Sequence, residues 1–136
     1  MTLIEYAKKI RSVIEDAMQT VGDDKSSVAP SLHRRLKQDG SLIPSGTKID
    51  WHGKVKKAAV DLWDREENDP DHAQTLWADI DYKDGYRIIP DVITVSKAFS
   101  AGEIGWWTDG LLYKSLVDSN VYTPAQYANN WEVVNG

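Results

Sequence analysis

The chain has 136 residues, a length that suits one domain or two very small ones. Its 16 Lys and Arg residues against 21 Asp and Glu residues give a formal net charge of −5, which argues against a nucleic-acid binder or a polybasic membrane-surface protein. The absence of cysteine excludes a disulfide framework, a thiolate metal site and a cysteine nucleophile. The sequence contains no apolar run of about 18 residues, so no membrane span is expected.

The N-terminal residues have the pattern of an amphipathic helix. Apolar residues recur at helical spacing from Leu3 to Val21. Thr2 and Glu5 fit a capping box, and Gly22 is a suitable stop. The spacing therefore predicts a helix over residues 3–21.

A second, shorter helix is predicted over residues 27–38, with Pro30 in its first turn and Gly40 after its end. This helix would carry a basic patch, His33-Arg-Arg-Leu-Lys37. We expect the patch to be a solvated helix face, and a contact to an acidic partner subunit is the alternative.

After Gly40 the pattern changes to short segments rich in Val, Ile, Trp, Tyr and Thr, which is typical of hairpins and small sheets. Tight turns are predicted at the three dipeptides His52-Gly53, Asp84-Gly85 and Asp109-Gly110. The predicted fold class is α+β: a helical segment with one long and one short helix, followed by two small three-stranded antiparallel β-modules.

The two modules are predicted from an internal duplication. One copy begins at Gly46 and the other at Gly102, and Gly, Trp, Lys, Val-Asp and Pro residues recur in the same order in both copies. The matched pairs are Trp51 with Trp107, Gly53 with Gly110, Lys57 with Lys114, Val60-Asp61 with Val117-Asp118, Pro70 with Pro124, and Trp77 with Trp131. The expected organisation is a helical segment over 1–40, a first β unit over 46–81, a bridging hairpin over 82–98 and a second β unit over 99–136.

The second copy resembles a known family of small binding modules. The matching residues are Phe99, Gly102, Trp107, Gly110, Tyr113, Thr123-Pro124 and Trp131-Glu-Val-Val134. This pattern is similar to that of the chitin-binding carbohydrate-binding modules of families 5 and 12. Tandem modules behind a helix of this type resemble small tail or baseplate proteins of phages and prophages.

The resemblance implies a compact three-stranded fold whose exposed aromatic rings stack on sugars. It implies that Trp77 and Trp131 are core residues. The implied carbohydrate-binding residues are Trp106, Trp107, Tyr113 and Tyr122. The first copy departs from the pattern, because Lys56 stands where the second copy has Tyr113 and a charged run precedes Pro70. We therefore expect the first copy to be architectural.

Trp106 and Trp107 are adjacent, and neighbouring residues on a strand point to opposite faces. We expect one of these tryptophans in the core and the other exposed as a stacking platform. The alternative is that both fill the core and a subunit interface.

Other kinds of site find little support in the sequence. The acidic run from Asp61 to His72 matches no calcium-loop spacing and is expected to be a solvated loop. The three histidines are far apart, and no catalytic or phosphate-binding motif occurs. We expect no enzyme activity, no metal and no cofactor.

The resemblance implies a non-enzymatic structural or accessory protein of a phage tail or virion. Its partners would be other virion proteins or a second copy of itself, through the assembly-helix residues Ile4, Ile10, Ile14 and Met18. The alternative is a recognition module for a bacterial surface glycan or chitin-like polysaccharide. A third and weaker alternative is a metabolic binding module. No nucleic-acid or membrane partner is expected.

The N-terminus has no secretory signal pattern, so the expected location is the virion, after synthesis in the host cytoplasm.

Overall fold

The computed structural model of the protein describes residues 1–134. The chain divides into two compact units, Met1–Ile80 and Asp81–Gly136. Within residues 1–134 all of the α-helix lies in the first unit, and each unit has its own β-structure and its own hydrophobic core. Helices at the N-terminus followed by mainly antiparallel sheets confirm the α+β class.

Helix α1 spans Leu3–Thr20 and confirms the first predicted helix. The capping box is present: the Thr2 side chain accepts from the backbone N–H of Glu5, and the Glu5 side chain accepts from the backbone N–H of Thr2. No residue of α1 is buried. The helix is attached to the rest of the unit by polar side chains, chiefly Arg11 and Gln19.

The predicted helix over 27–38 is wrong. Helix α2 spans Asp23–Val28, and one 3-10 turn follows at Pro30–Leu32. Ala29 precedes a proline, which disfavours the helical conformation, and its φ of −134° and ψ of 67° end α2. Residues 33–38 run on without helix because their backbone groups bind the sheet region, as where the carbonyl of Arg34 accepts the N–H of Asp50.

The first unit contains two small antiparallel sheets. Strand β2 (Lys48–Trp51), β3 (Lys54–Ala58) and β5 (Trp77–Asp79) form a three-stranded sheet in that order. Strand β1 (Leu42–Ile43) pairs with β4 (Leu62–Trp63). The buried core consists of Ile43, Ile49, Ala58, Leu62 and Trp77.

The described part of the second unit, residues 81–134, forms one five-stranded sheet. Its strands are β6 (Tyr82–Lys83), β7 (Tyr86–Ile88), β8 (Ile104–Trp106), β9 (Leu112–Ser115) and β10 (Trp131–Val134), in the order β10-β9-β8-β7-β6. All neighbours are antiparallel except β7 and β8. The predicted hairpin after residue 82 therefore extends the sheet of this unit to five strands, where the sequence suggested three. Its core consists of Ile89, Ile93, Phe99 and Trp131.

Two of the three predicted tight turns are two-residue hairpin turns. His52 and Gly53 have φ of 51° and 83°, and Asp84 and Gly85 have 50° and 87°. Positive φ at both central residues is the hairpin geometry that matches strand twist. At the third position, β8 and β9 are joined by a longer loop over residues 107–111, in which Gly110 alone has positive φ.

Candidate functional site

Two neighbouring tyrosines form the most exposed aromatic surface of the second unit. Tyr122 is 53% exposed and Tyr127 is 51% exposed. Their ring centroids are 6.1 Å apart and their planes are inclined at 50°. Aromatic rings usually bury much of their area, so a paired exposure of this kind marks a candidate binding surface.

The loop between the tyrosines is held by its own hydrogen bonds. The N–H of Thr123 donates to Oε1 of Gln126, the N–H of Gln126 donates to Oγ1 of Thr123, and the N–H of Tyr127 donates to the Thr123 carbonyl. The indole of Trp131 donates to the carbonyl of Tyr122 at 2.7 Å. The buried core thus fixes the backbone from which both rings project.

Neither Trp106 nor Trp107 is exposed, so the expectation of one buried and one exposed ring is wrong. Both are half-buried. Trp106 ends β8, donates its indole N–H to the carbonyl of Lys83, and has Lys83 Nζ 5.0 Å from its ring centroid. Trp107 lies beyond the strand and packs against the core of the unit. Strand alternation therefore does not apply to this pair.

Tyr113 is also a packing residue. Its ring is half-buried against the core, and its hydroxyl donates to Oδ2 of Asp109 at 2.6 Å. This hydrogen bond raises the pKa of Tyr113 above its ordinary value. Of the four predicted carbohydrate-binding residues, only Tyr122 presents an exposed ring. Tyr127 was not predicted, because it follows an irregular loop in which no periodicity indicates which way a side chain points.

The corresponding loop of the first unit has the same backbone pattern without the tyrosines. The indole of Trp77 donates to the carbonyl of Asn68 at 2.8 Å, and the N–H of Ala73 donates to the carbonyl of Asp69 at 2.8 Å. Asn68 and Ala73 therefore occupy the places of Tyr122 and Tyr127. The first unit offers no aromatic pair here.

The chain matches no protein-family model and no curated protein sequence. Within residues 1–134, no helix has the length and apolar character needed to cross a bilayer.

The acidic run of the first unit is only partly the solvated loop that was expected. Asp64 is fully buried, and its carboxylate accepts hydrogen bonds from the backbone N–H groups of Lys37 and Gln38. Asp69 is buried and accepts from the backbone of Asp71 and from both the backbone and the ring of His72. No group of three or more metal-ligating side chains occurs in the described part of the chain.

The predicted basic patch is not a helix face. His33 is fully buried, and its Nδ1 lies 3.0 Å from the carbonyl of Pro30. Arg35 is exposed and pairs with the buried Asp50 at 3.4 Å. Arg35 and Asp50 line an open groove of about 360 Å³, together with Leu36 and the Trp51-His52-Gly53 turn.

Two histidines of the first unit are expected to titrate on opposite sides of the ordinary pKa of 6.5. Burial lowers the pKa of His33, whereas the hydrogen bond to Asp69 raises the pKa of His72. As pH falls below 6.5, the unfolded state therefore takes up a proton at position 33 before the folded state does, and stability is lost. Protonated His72 contributes its full stabilisation of the folded state below pH 6.5. This contribution is lost as the pH rises through the raised pKa of His72 in the folded state.

An NMR pH titration of the ring carbon-bound protons, assigned with His33→Gln and His72→Gln variants, checks this prediction. We expect the His33 midpoint below 6.5 and the His72 midpoint above 6.5. A His33 midpoint at or above the ordinary value would contradict the burial that the structure gives this ring.

The predicted assembly residues do not share one exposed face. Ile4 and Ile10 are exposed at 69% and 43%, but Ile14 and Met18 are half-buried. The exposed apolar row of α1 instead contains Leu3, Tyr6, Ile10, Val13 and Ala17.

Proposed function

We propose that the protein is a non-enzymatic glycan-binding protein whose binding surface is the Tyr122–Tyr127 loop. The observation that carries this proposal is the pair of exposed, mutually tilted rings on a loop fixed by the core. A sugar ring has an apolar face of C–H groups that packs well against an aromatic ring, while its hydroxyl groups remain available to water and polar side chains. Two rings inclined at 50° can contact neighbouring sugars of one chain.

The charge of the protein favours an uncharged glycan. The net charge is −5, and the described residues of the loop over 120–130 carry neither a positive nor a negative side chain. A strongly acidic polysaccharide would gain no ion pair at this loop and would be repelled at long range. A neutral chain of N-acetylated sugars agrees with the resemblance to chitin-binding modules.

We further infer that the β units over 46–81 and 99–134 are two copies of one fold, and that only the second carries the binding surface. The strands β2, β3 and β5 then correspond to β8, β9 and β10. Three matched pairs of backbone hydrogen bonds support this correspondence. The N–H of Gly46 donates to the carbonyl of Ala58, as the N–H of Gly102 does to that of Ser115. The N–H of Ala58 donates to the carbonyl of Thr47, as the N–H of Ser115 does to that of Glu103. The N–H of Ala59 donates to the carbonyl of Leu76, as the N–H of Leu116 does to that of Asn130.

Side-chain contacts recur between the copies as well. Oδ1 of Asp61 accepts the N–H of Ser45 at 2.7 Å, and Oδ1 of Asp118 accepts the N–H of Ala101 at 2.9 Å. In both copies the closing tryptophan is buried and donates to a loop carbonyl. Shared interactions at matched positions favour a duplication over convergence on a short motif.

Calorimetric titration with chitooligosaccharides and with solubilised bacterial wall glycans tests the proposal. We expect saturable binding to a neutral N-acetylated glycan, and we expect Tyr122→Ala or Tyr127→Ala to weaken it by roughly tenfold or more, by analogy with ring stacking on nucleobases. Both side chains are half exposed, so either truncation should leave the fold intact.

Tyr86→Ala is the matched control, because Tyr86 is 40% exposed on the same unit but lies on β7, away from the loop in sequence. Its affinity should equal that of the wild type. In NMR spectra, the shifts caused by the glycan should centre on residues 120–127. The absence of binding across the whole glycan panel, or equal losses in all three variants, would overturn the proposal.

A structural role in a phage particle is the second candidate function. It is favoured by α1, which exposes a row of apolar side chains and is attached to its unit by polar contacts. Mass spectrometry of purified particles from the source strain tests this role. Peptides of this chain at a fixed ratio to the tail proteins would support it, and particles free of the chain would overturn it.

A further inference from the structure

The outer face of α1 carries a regular apolar seam, which we define as Leu3, Tyr6, Ile10, Val13 and Ala17. All five side chains are exposed, with Leu3 at 84% and Val13 at 67%. Their spacing alternates between three and four residues. This is the a and d pattern of a heptad repeat, which keeps one stripe of a helix facing one partner helix.

The seam faces away from the unit that carries the helix. Arg11 reaches the carbonyls of Ser31 and His33 at 2.7 and 2.9 Å, and Gln19 exchanges two hydrogen bonds with the backbone of Lys48. On a helical wheel Gln19 lies about 180° from Ile10 and Arg11 lies about 100° from it, so neither belongs to the seam. A second helix can therefore approach the seam without displacing these contacts.

Different residues flank the two sides of the seam. On one side are Lys9 and Asp16, both exposed, in the g positions of the heptads. On the other side are Ala7 and Ile14, in the e positions. One flank therefore combines a positive and a negative charge one heptad apart, and the other flank is apolar. This asymmetry decides between orientations of two such helices.

Two copies of α1 complement each other when they are antiparallel. With Ile10 of one copy against Val13 of the other, Tyr6 lies against Ala17, so that a large side chain meets a small one. In antiparallel pairs g positions face g positions. Lys9 then faces Asp16 twice, once on each side of the two-fold axis. A parallel pair would place Tyr6 against Tyr6 and would bring neither charge to an opposite one.

We propose that the seam of α1 binds a second copy of this chain as an antiparallel helix pair. The inference goes beyond both proposed functions and depends only on residues of α1. The resulting two-fold symmetric dimer carries two Tyr122–Tyr127 surfaces. A failure of glycan binding would leave this inference intact, and a monomeric protein would leave the glycan proposal intact.

Sedimentation of the full chain over a range of concentrations is the first test. We expect a concentration-dependent dimer, and we expect Ile10→Glu or Val13→Glu to weaken it by at least about tenfold, because each dimer would bury two unpaired carboxylates. Ser12→Glu is the control, since it adds the same charge at an exposed position of α1 outside the seam. A wild type that is monomeric at every concentration, or a control that dissociates equally, would overturn the proposal.

The orientation can be read directly because the chain has no cysteine. In an antiparallel pair, an equal mixture of Tyr6→Cys and Ala17→Cys proteins should form a mixed disulfide when oxidised glutathione is supplied as the oxidant, while neither protein alone should form one. Disulfide formation by Tyr6→Cys alone would indicate a parallel pair and would overturn the proposed arrangement. Circular dichroism of each variant verifies that α1 is intact.

Exchanging the flanking charges provides an independent readout. Lys9→Asp and Asp16→Lys should each weaken the dimer by about threefold to tenfold, because each creates two like-charge contacts. The double variant restores opposite charges and should restore the wild-type affinity. Additive losses in the double variant would overturn the proposed pairing of these residues.

Discussion

Replacing Trp131 by Ala should lower the free energy of unfolding of the second unit by about 3–5 kcal/mol. The side chain is 6% exposed and packs edge-to-face on Phe99 with centroids 5.2 Å apart. Its indole N–H also donates to the carbonyl of Tyr122. The truncation therefore leaves a cavity in a core of few large residues and releases the loop that carries the tyrosine pair.

Urea unfolding combined with hydrogen exchange at the amides of β8 and β9 measures this loss within the second unit. Trp63→Ala is the control, because Trp63 is 52% exposed and its truncation should cost less than about 1 kcal/mol. Equal unfolding midpoints for the Trp131 variant and the wild type would contradict the core position of this ring. We also expect the variant to bind glycan more weakly than its remaining folded fraction explains.

Asp64→Ala should destabilise the first unit by roughly 2–4 kcal/mol, the second largest effect that we expect. The carboxylate is fully buried. Its two oxygens accept the backbone N–H groups of Lys37 at 2.9 Å and Gln38 at 3.0 Å. Gln38 has a φ of 54°, an unfavourable value for a residue with a side chain, so these hydrogen bonds stabilise a strained backbone.

Thermal unfolding of the Asp64→Ala variant is compared with that of Glu67→Ala. The comparison separates the loss of the hydrogen bonds to the buried carboxylate from the loss of one negative charge. Glu67 is exposed in the same acidic run, and its removal changes the net charge by the same amount. We expect Glu67→Ala to stay within about 0.5 kcal/mol of the wild type. Comparable losses in the two variants would show that position 64 acts through charge and not through the two amides.

Local signals predicted the parts of the fold that local interactions determine. Thr2 and Glu5 bracket the first turn of α1, and their capping box forms as expected. The His52-Gly53 dipeptide forms its hairpin turn because both residues adopt positive φ. Trp77 and Trp131 were expected in the core, and each is buried with its indole hydrogen-bonded.

Long-range contacts account for the parts that the sequence did not predict. Residues 33–38 have helical spacing, yet Asp64 and Asp50 bind their backbone from elsewhere in the chain. The pairing of β7 with β8 depends on Gly105, because a Cβ there would lie 2.9 Å from the carbonyl oxygen of Arg87. No neighbour in the sequence indicates this close approach.

The candidate site was predicted only in part, for a related reason. The resemblance implies Tyr122, which is exposed, whereas strand alternation fails for Trp106 and Trp107 because β8 ends at Trp106. Tyr127 meets Tyr122 through a loop whose turn depends on Thr123 and Gln126. The side-chain directions of such a loop follow from its hydrogen bonds, which a sequence pattern does not reveal.

The polar attachment of α1 has a consequence for how the first unit opens. Because α1 buries no side chain completely, its release exposes little apolar surface and costs far less than unfolding the sheet. The hydrogen bonds of Arg11 and Gln19 can exchange for water at small net cost. We therefore expect α1 to open as a separate cooperative segment that detaches and rebinds while the β-sheet of its unit stays folded.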